Sequence, residues 1–292
     1  MAESLLAVKS RLNTVASIRK ITKAMKLIAS SRYSRLKNQY DGTKEYVKGM
    51  SECMNQIVNI IDFDKMTRPT CMTVNPGDTK LVIFVTPTLG LCGSYYYNLQ
   101  KIAKDVLTEK DDVVFIGEKG YRYFKDKVHK ADTKFIHLLD NLTFDNVNIF
   151  RHYIDKLYRE NKYRSIDIIY TRYINSFMTK AVCEQVLPLE QNSASIENMK
   201  SDIEKGSYDL LFEGHPDQVV DLIVPHYLDA ILYKYFLESG LSEHTSRRNS
   251  MESATSSADS LIEMLKLQYN KARQQKITNE ITEIIAGSNS SR

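Results

Sequence analysis

From Ser4 to about Ile61, apolar residues recur at steps of three and four, through Leu5, Val8, Leu12, Val15, Ile18, Ile21, Met25 and Ile28. That spacing predicts one face of an α-helix. The first proline is Pro69, and Gly42 and Gly49 each weaken a helix by up to about 1 kcal/mol relative to alanine without forbidding it. The other end of the chain has the same character. No proline follows Pro225, and Leu261, Leu265, Gln268, Ala272, Ile277, Ile281 and Ile284 keep a helical stripe that Gly287 is suited to stop. Each terminal helix would run on the order of 55–60 residues, or roughly 80–90 Å at 1.5 Å per residue. A globular domain cannot bury that length, so the two ends are expected to pair as an antiparallel two-stranded coiled coil. The stripes are irregular, and no strict seven-residue repeat is expected.

Between the ends the period changes. Lys80 to Thr86, Val113 to Gly117, Ile166 to Thr171 and Ala181 to Leu187 are short β-branched and aromatic runs bounded by turn residues, which predicts strands. Helical stretches separate them, at about Tyr96 to Leu107, Gly120 to Val128 and Phe144 to Glu160. Strand and helix in alternation predict a Rossmann-like domain on a parallel sheet. The expected fold class is α/β, with that domain over 75–190 between an N-terminal coiled-coil helix over 1–68 and a C-terminal one over 217–292. Residues 191–216 are polar with few apolar anchors and are expected to form a connector.

Composition narrows the partners. Hydrophobic residues at 42% and charged residues at 26% suit a protein with a real core. The net charge of +4 is mild and gives no reason to expect nucleic acid. It is unevenly placed: residues 1–40 hold nine Lys or Arg against the single acid Glu3, so this arm is expected to face an acidic partner. Cys53, Cys71, Cys92 and Cys183 lie far apart with no CxxC pair, which argues for free thiols and against a zinc site. No run approaches the roughly 18–20 apolar residues of a membrane span, and Met1-Ala2-Glu3 does not open a secretory signal.

The candidate chemistry is thin. Thr88 to Ser94 follows a predicted strand and opens a predicted helix, where a phosphate-binding turn would sit, but the loop lacks GxGxxG and GxxxxGK[ST]. Asp111 and Asp112 also precede the second strand, whereas a ribose-binding acid belongs at its end. A structural tight turn is the better reading. Ser17 and Lys20 have the spacing of a nucleophile pair on an amphipathic helix without a companion motif. The six histidines include no HxxxH. No cofactor and no catalytic residue are expected.

Two segments resemble the gamma subunits of F-type ATP synthases. Arg19-Lys20-Ile21-Thr22-Lys23-Ala24-Met25-Lys26 is similar to the family's lysine-rich KITKAM segment. Leu267-Gln268-Tyr269-Asn270-Lys271-Ala272-Arg273-Gln274, running on through Ile277-Thr278-Asn279-Glu280 to Gly287, is similar to its long C-terminal hallmark. Gly90-Leu91-Cys92-Gly93, Ile116 to Gly120 and Tyr208 to Glu213 follow in the expected order. The resemblance implies a non-catalytic central-stalk rotor, one copy among three alpha and three beta subunits. It also implies delta- or epsilon-type stalk subunits and a membrane c-ring as further partners. It places Lys20, Lys23, Met25, Gly90, Leu91, Cys92, Gly93, Arg247, Met251, Arg273, Gln274 and Thr278 against the alpha/beta ring. Leu89 stands where the family usually has arginine, the tail after Gly287 is more polar than usual, and the cysteine-bearing chloroplast insertion is missing. A Rossmann-type enzyme with helical arms and a non-rotating scaffold for acidic proteins remain as rivals. The basic helical N-terminus favours the mitochondrial inner membrane, on its matrix side, over a bacterial inner membrane, on its cytoplasmic side.

Overall fold

A computed structural model describes residues 5–60, 70–189 and 216–290. Its elements are α1 (Leu5–Ile60), β1 (Lys80–Val85), α2 (Tyr95–Val106), β2 (Asp112–Ile116), α3 (Glu118–Phe124), β3 (Lys130–Asp132), α4 (Phe144–Arg159), β4 (Ser165–Tyr173), β5 (Thr179–Leu187) and α5 (Pro216–Ser290). Both long terminal helices are thus present. Gly287 does not end α5, because glycine permits a left-handed stop without imposing one. The expected connector and the Tyr208 to Glu213 match lie outside the described residues. The chain divides into two compact units, one of Met1–Ser31 with Arg247–Arg292 and one of Arg32–Ser246.

The first unit is a helix pair. Val8, Val15, Ala258 and Leu265 are buried together, with Leu12, Ile262 and Tyr269 packed against them. Lys26 donates from Nζ to Glu252 Oε1 at 2.7 Å, Thr255 donates from Oγ1 to Thr22 Oγ1 at 2.8 Å, and Arg19 pairs with Asp259. Residue numbers rise by seven on α1 as they fall by seven on α5, so the pair is antiparallel and in heptad register. The seam on α5, from Met251 through Thr255, Ala258, Ile262 and Leu265 to Tyr269, alternates steps of four and three. This corrects the expectation of an irregular seam. Past Val15, the α1 side of the seam passes to Arg19, Thr22 and Lys26, while Ile18, Ile21 and Ile28 are exposed. A stripe read at three-residue steps drifts around a helix, and only steps averaging three and a half stay on a partner.

In the second unit the sheet order is β3-β2-β1-β4-β5. β1 pairs in parallel with β2 and β4, β2 pairs in parallel with β3, and β4 and β5 are antiparallel. Residues 174–178 between the last two strands are too few for a crossover, so they close a hairpin and put an antiparallel strand on the edge of the predicted parallel sheet. β3 escapes the hydrophobic pattern because Lys-Ala-Asp carries no apolar run. Leu81, Ile83 and Val85 of β1 join one core with residues of α4 and α5, and Val82 and Phe84 join the opposite core with residues of α2. That alternation is the two-residue period of a strand buried on both faces.

Two glycines let the strand ends close up. Gly117 has φ +90°, and a Cβ there would stand 1.8 Å from the Thr86 carbonyl oxygen. A Cβ on Gly120 would meet Thr86 Cγ2 at 2.7 Å. Thr86 uses the room: its Oγ1 donates towards the carbonyls of Ile116 and Gly117, at 3.1 and 3.0 Å, and accepts from the Gly120 N–H at 3.0 Å.

A buried carboxyl sits where helix meets sheet. Glu238 on α5 is 3% exposed, the Tyr40 hydroxyl reaches its Oε1 at 3.4 Å, and its Oε2 has no hydrogen-bond partner among the described residues. Burial pushes the carboxyl above its ordinary value of 4.5, against the opposing pull of Lys234 and Arg172. The folded state therefore holds this proton more tightly than the unfolded one. The group's contribution is fully present below the unfolded value and is lost as pH rises through the folded one. Glu238→Gln, which cannot ionise, is expected to gain stability relative to wild type as pH rises above about 4.5, read as urea midpoints across that range. A difference that stays constant with pH would contradict this.

Candidate partner-contact surface

On the helix pair the seam decides which sequence-predicted residues face outward. Lys20 and Lys23 are exposed on α1, and Met25 is half-buried. Arg247 and Met251 are buried on α5, at 6% and 5%, so they belong to the packed interior of the chain. Arg273, Gln274 and Thr278 are exposed, and the Thr278 hydroxyl donates to the Gln274 carbonyl at 3.0 Å within the helix. Extending the seam register to Leu5, the first described residue of α1, reaches Arg273. Beyond it α5 continues with every residue from Arg273 to Ala286 exposed, including Ile277, Ile281, Ile284 and Ile285.

The charge is also apportioned by the seam. Of the basic residues offered to an acidic partner, Arg19 and Lys26 are already matched by Asp259 and Glu252. The ammonium of Lys26 holds the Glu252 carboxyl below its ordinary value. Both pairs are substantially exposed, so solvent screening leaves them little weight in stability. Lys20 and Lys23 face solvent beside the apolar residues Ile18, Ile21, Leu27 and Ile28. Those four were missed as contact candidates, although their position off the heptad seam was open to inspection.

The Gly90-Leu91-Cys92-Gly93 turn belongs to the other unit. Leu91 and Gly93 both have positive φ, 63° and 56°, which reverses the chain sharply between β1 and α2. Cys92 is buried, and its carbonyl accepts from Ser246 Oγ at 2.6 Å and from the Tyr95 N–H at 3.2 Å. Tyr95 is buried in turn, its hydroxyl 2.8 Å from Ser239 Oγ, and burial drives its phenol far above the ordinary value. The turn is bolted to α5 by its middle and thrusts Leu89 and Leu91 outward, 65% and 61% exposed. Packing on α5 accounts for this geometry without a phosphate.

The remaining candidates resolve into ordinary contacts. Ser17 donates to the Asn13 carbonyl along α1. His129 Nδ1 lies 2.7 Å from Asp112 Oδ1, and His137 Nδ1 lies 3.0 Å from Asp140 Oδ2. Among the described residues no group of His, Cys, Asp and Glu is arranged to hold a metal, and no helix is long and apolar enough to cross a membrane.

Comparison with known proteins places this geometry. The sequence profile of the family described as ATP synthase matches residues 4–290. The ATP synthase gamma chain of Ureaplasma urealyticum serovar 10 is 36% identical, over 98% of this chain and 99% of its own length. That of Mycoplasma mobile is 34% identical, over 99% of both. The chain belongs to the ATP synthase gamma-chain family. A more distant gamma chain, from Alkaliphilus metalliredigens, is 30% identical over 96% of both. The gamma-chain fold extends further than the sequence. A chain of the Euglena gracilis mitochondrial ATP synthase, solved with OSCP, F1 and c-ring in rotational state 3, superposes with a TM-score of 0.64 at 17% identity. It covers 98% of this chain and 94% of that one. A chain from the central stalk and c-ring of the Tetrahymena thermophila mitochondrial enzyme superposes with a TM-score of 0.58 at 19% identity, covering 80% of this chain and 99% of that one.

These relatives overturn the mitochondrial assignment. The gamma chains at 30–36% identity come from Ureaplasma, Mycoplasma and Alkaliphilus, bacteria without mitochondria. The structure explains why the basic N-terminal helix misled. Arg19 and Lys26 pair with acids of α5, and Val8 and Val15 are buried on it, so this segment is half of a packed helix pair and needs no targeting role to account for its charge.

Proposed function

We propose that this gamma-family chain is the rotor of a bacterial F-type ATP synthase, on the cytoplasmic side of the inner membrane. Its paired terminal helices, within residues 1–68 and 217–292, stand inside a ring of three alpha and three beta subunits. The α/β domain over 75–190 forms a base that meets small stalk subunits and the c-ring. The observation that carries this reading is the helix pair itself: a heptad seam holds α5 against α1, and α5 then runs on past the described part of α1 with every residue from Arg273 to Ala286 exposed. A stiff rod with an asymmetric, partly apolar face is what a rotating cam requires. Each orientation would favour a different conformer of each catalytic subunit, a population shift imposed by contact, with nucleotide chemistry left to those subunits.

On this reading Lys20, Lys23, Arg273, Gln274 and Thr278 meet the ring from the shaft, with Met25 at the margin of the seam, and Gly90, Leu91 and Gly93 meet it from the turn after β1. Arg247, Met251 and Cys92 act by holding those surfaces in place. The test is direct. With the alpha/beta head immobilised and a probe fixed to this chain, ATP should drive rotation in one direction, with one copy of the chain per head. Failure of the probe to turn in an ATP-hydrolysing complex, or several copies per head, would refute the proposal.

A further inference from the structure

Among the described residues the most exposed large apolar side chain is Phe177, at 95%, in the hairpin between β4 and β5. Ile174 and Met178 beside it are 49% and 57% exposed. A loose loop tip could carry such residues incidentally, but this one is built. The N–H groups of Ile174 and Asn175 donate to the Met178 carbonyl at 3.2 and 3.1 Å. Asn175 Oδ1 accepts from the N–H groups of Phe177 and Met178 at 2.9 and 2.8 Å. Below the tip, the Tyr33 hydroxyl of α1 lies 2.9 Å from that of Tyr173 and 3.2 Å from Ser176 Oγ. The turn therefore holds three apolar side chains outward before any partner arrives, which cuts the ordering cost of binding them.

Charge beside the tip specifies the partner further. Arg172 and Lys180 stand directly opposite each other across the two strands, an arrangement of like charges that is unfavourable by itself. Glu184 takes Arg172, while Lys180 is exposed and no carboxylate of the described residues pairs with it. Among the described residues, then, the cation next to the apolar tip has no acidic partner.

We infer that the β4–β5 hairpin tip is an anchor, with Phe177 seating in an apolar pocket of a neighbouring protein subunit whose rim carries a carboxylate for Lys180. A compact rigid apolar knob beside one lysine that no carboxylate among the described residues compensates suits a protein pocket. A membrane surface would call for a cluster of basic residues around the apolar group. The neighbour is a component of the assembly proposed above, so the inference rests on that reading for its setting.

A benzophenone-bearing phenylalanine at position 177, in the assembled complex, tests it. The expected product is a single crosslink to a peptide of another subunit that contains Asp or Glu within an apolar segment. A lipid adduct, a crosslink only within this chain, a peptide without carboxylates, or no crosslink at all would overturn it. In a second measurement, Phe177→Ala is expected to speed dissociation of that subunit about tenfold or more, as loss of an aromatic hot spot does, with Phe177→Leu largely restoring it. Lys180→Glu should speed dissociation more at low salt than at high salt. Unchanged dissociation in Phe177→Ala would sink the anchor, whose exposed position leaves folding unaffected. Because the rotation assay reads the shaft, ATP-driven turning of a complex that gives no crosslink at position 177 would remove this inference and leave the rotor reading standing.

Discussion

Replacing Asp229 by alanine is expected to destabilise the α/β unit by about 3–5 kcal/mol, the usual result of breaking a buried ion pair from one side. Asp229 on α5 is 1% exposed and Arg151 on α4 is 5% exposed. Arg151 donates from Nε to Asp229 Oδ1 at 3.1 Å, and Asn148 donates from Nδ2 to Asp229 Oδ2 at 2.8 Å. Alanine would leave a buried guanidinium that cannot lose its proton, with only the His152 ring as a hydrogen-bond partner among the described residues. The measurement is the denaturant midpoint at constant slope. Asp229→Asn, which keeps an acceptor for Arg151, should lose less. Exchanging both partners for apolar residues of similar volume should recover much of the loss, because the penalty comes from the charge left alone. A loss below about 1 kcal/mol in Asp229→Ala would show that water or a shifted side chain replaces the carboxylate.

The second large effect concerns coupling. Arg273→Ala combined with Gln274→Ala is expected to lower ATP-synthesis rate about tenfold or more while the complex still assembles. Both side chains are exposed on α5, at and just past the last position the seam register reaches, so their removal costs the helix pair almost nothing. In the proposed function they face acidic loops of the ring, where a hydrogen bond to a charged group contributes about 1.5–3 kcal/mol, and about 1.4 kcal/mol is already a factor of ten. Synthesis rate and subunit stoichiometry should be measured on the same preparation. Wild-type synthesis in the double mutant would remove these two residues from the contact surface. A complex that failed to assemble would show that they hold the shaft in its ring and do not transmit its rotation.

How far these effects could be anticipated differs sharply between elements. The terminal helices were legible because their cause is local: long stretches, without proline except Pro216 and Pro225 at the start of α5, with apolar residues every three or four positions, which no other regular structure satisfies over such length. β1, β2, β4 and β5 were legible for the same reason, and the antiparallel edge was not, because strand direction depends on the five-residue link at 174–178 and not on the strands' own composition. β3 was invisible, since three residues held by pairing to β2 need no hydrophobic pattern of their own.

The surface residues divide along the same line. Lys20, Lys23, Arg273, Gln274 and Thr278 could be singled out from the sequence, and the structure leaves all five exposed. Arg247, Met251 and Cys92 could be singled out equally well, yet they are buried, because burial is settled by the partner helix and by the turn's bond to Ser246. The sequence by itself determined the helices and every strand but β3, and that basic and apolar side chains crowd the N-terminal arm. Only the tertiary structure decided that Arg19 and Lys26 are matched internally, that Ile18 and Ile21 face outward, and that Asp229 meets Arg151 across 78 positions of chain. The physical reason is that local backbone preferences act over a few residues, whereas charge pairing and burial are decided by whichever distant surface the fold brings within about 4 Å.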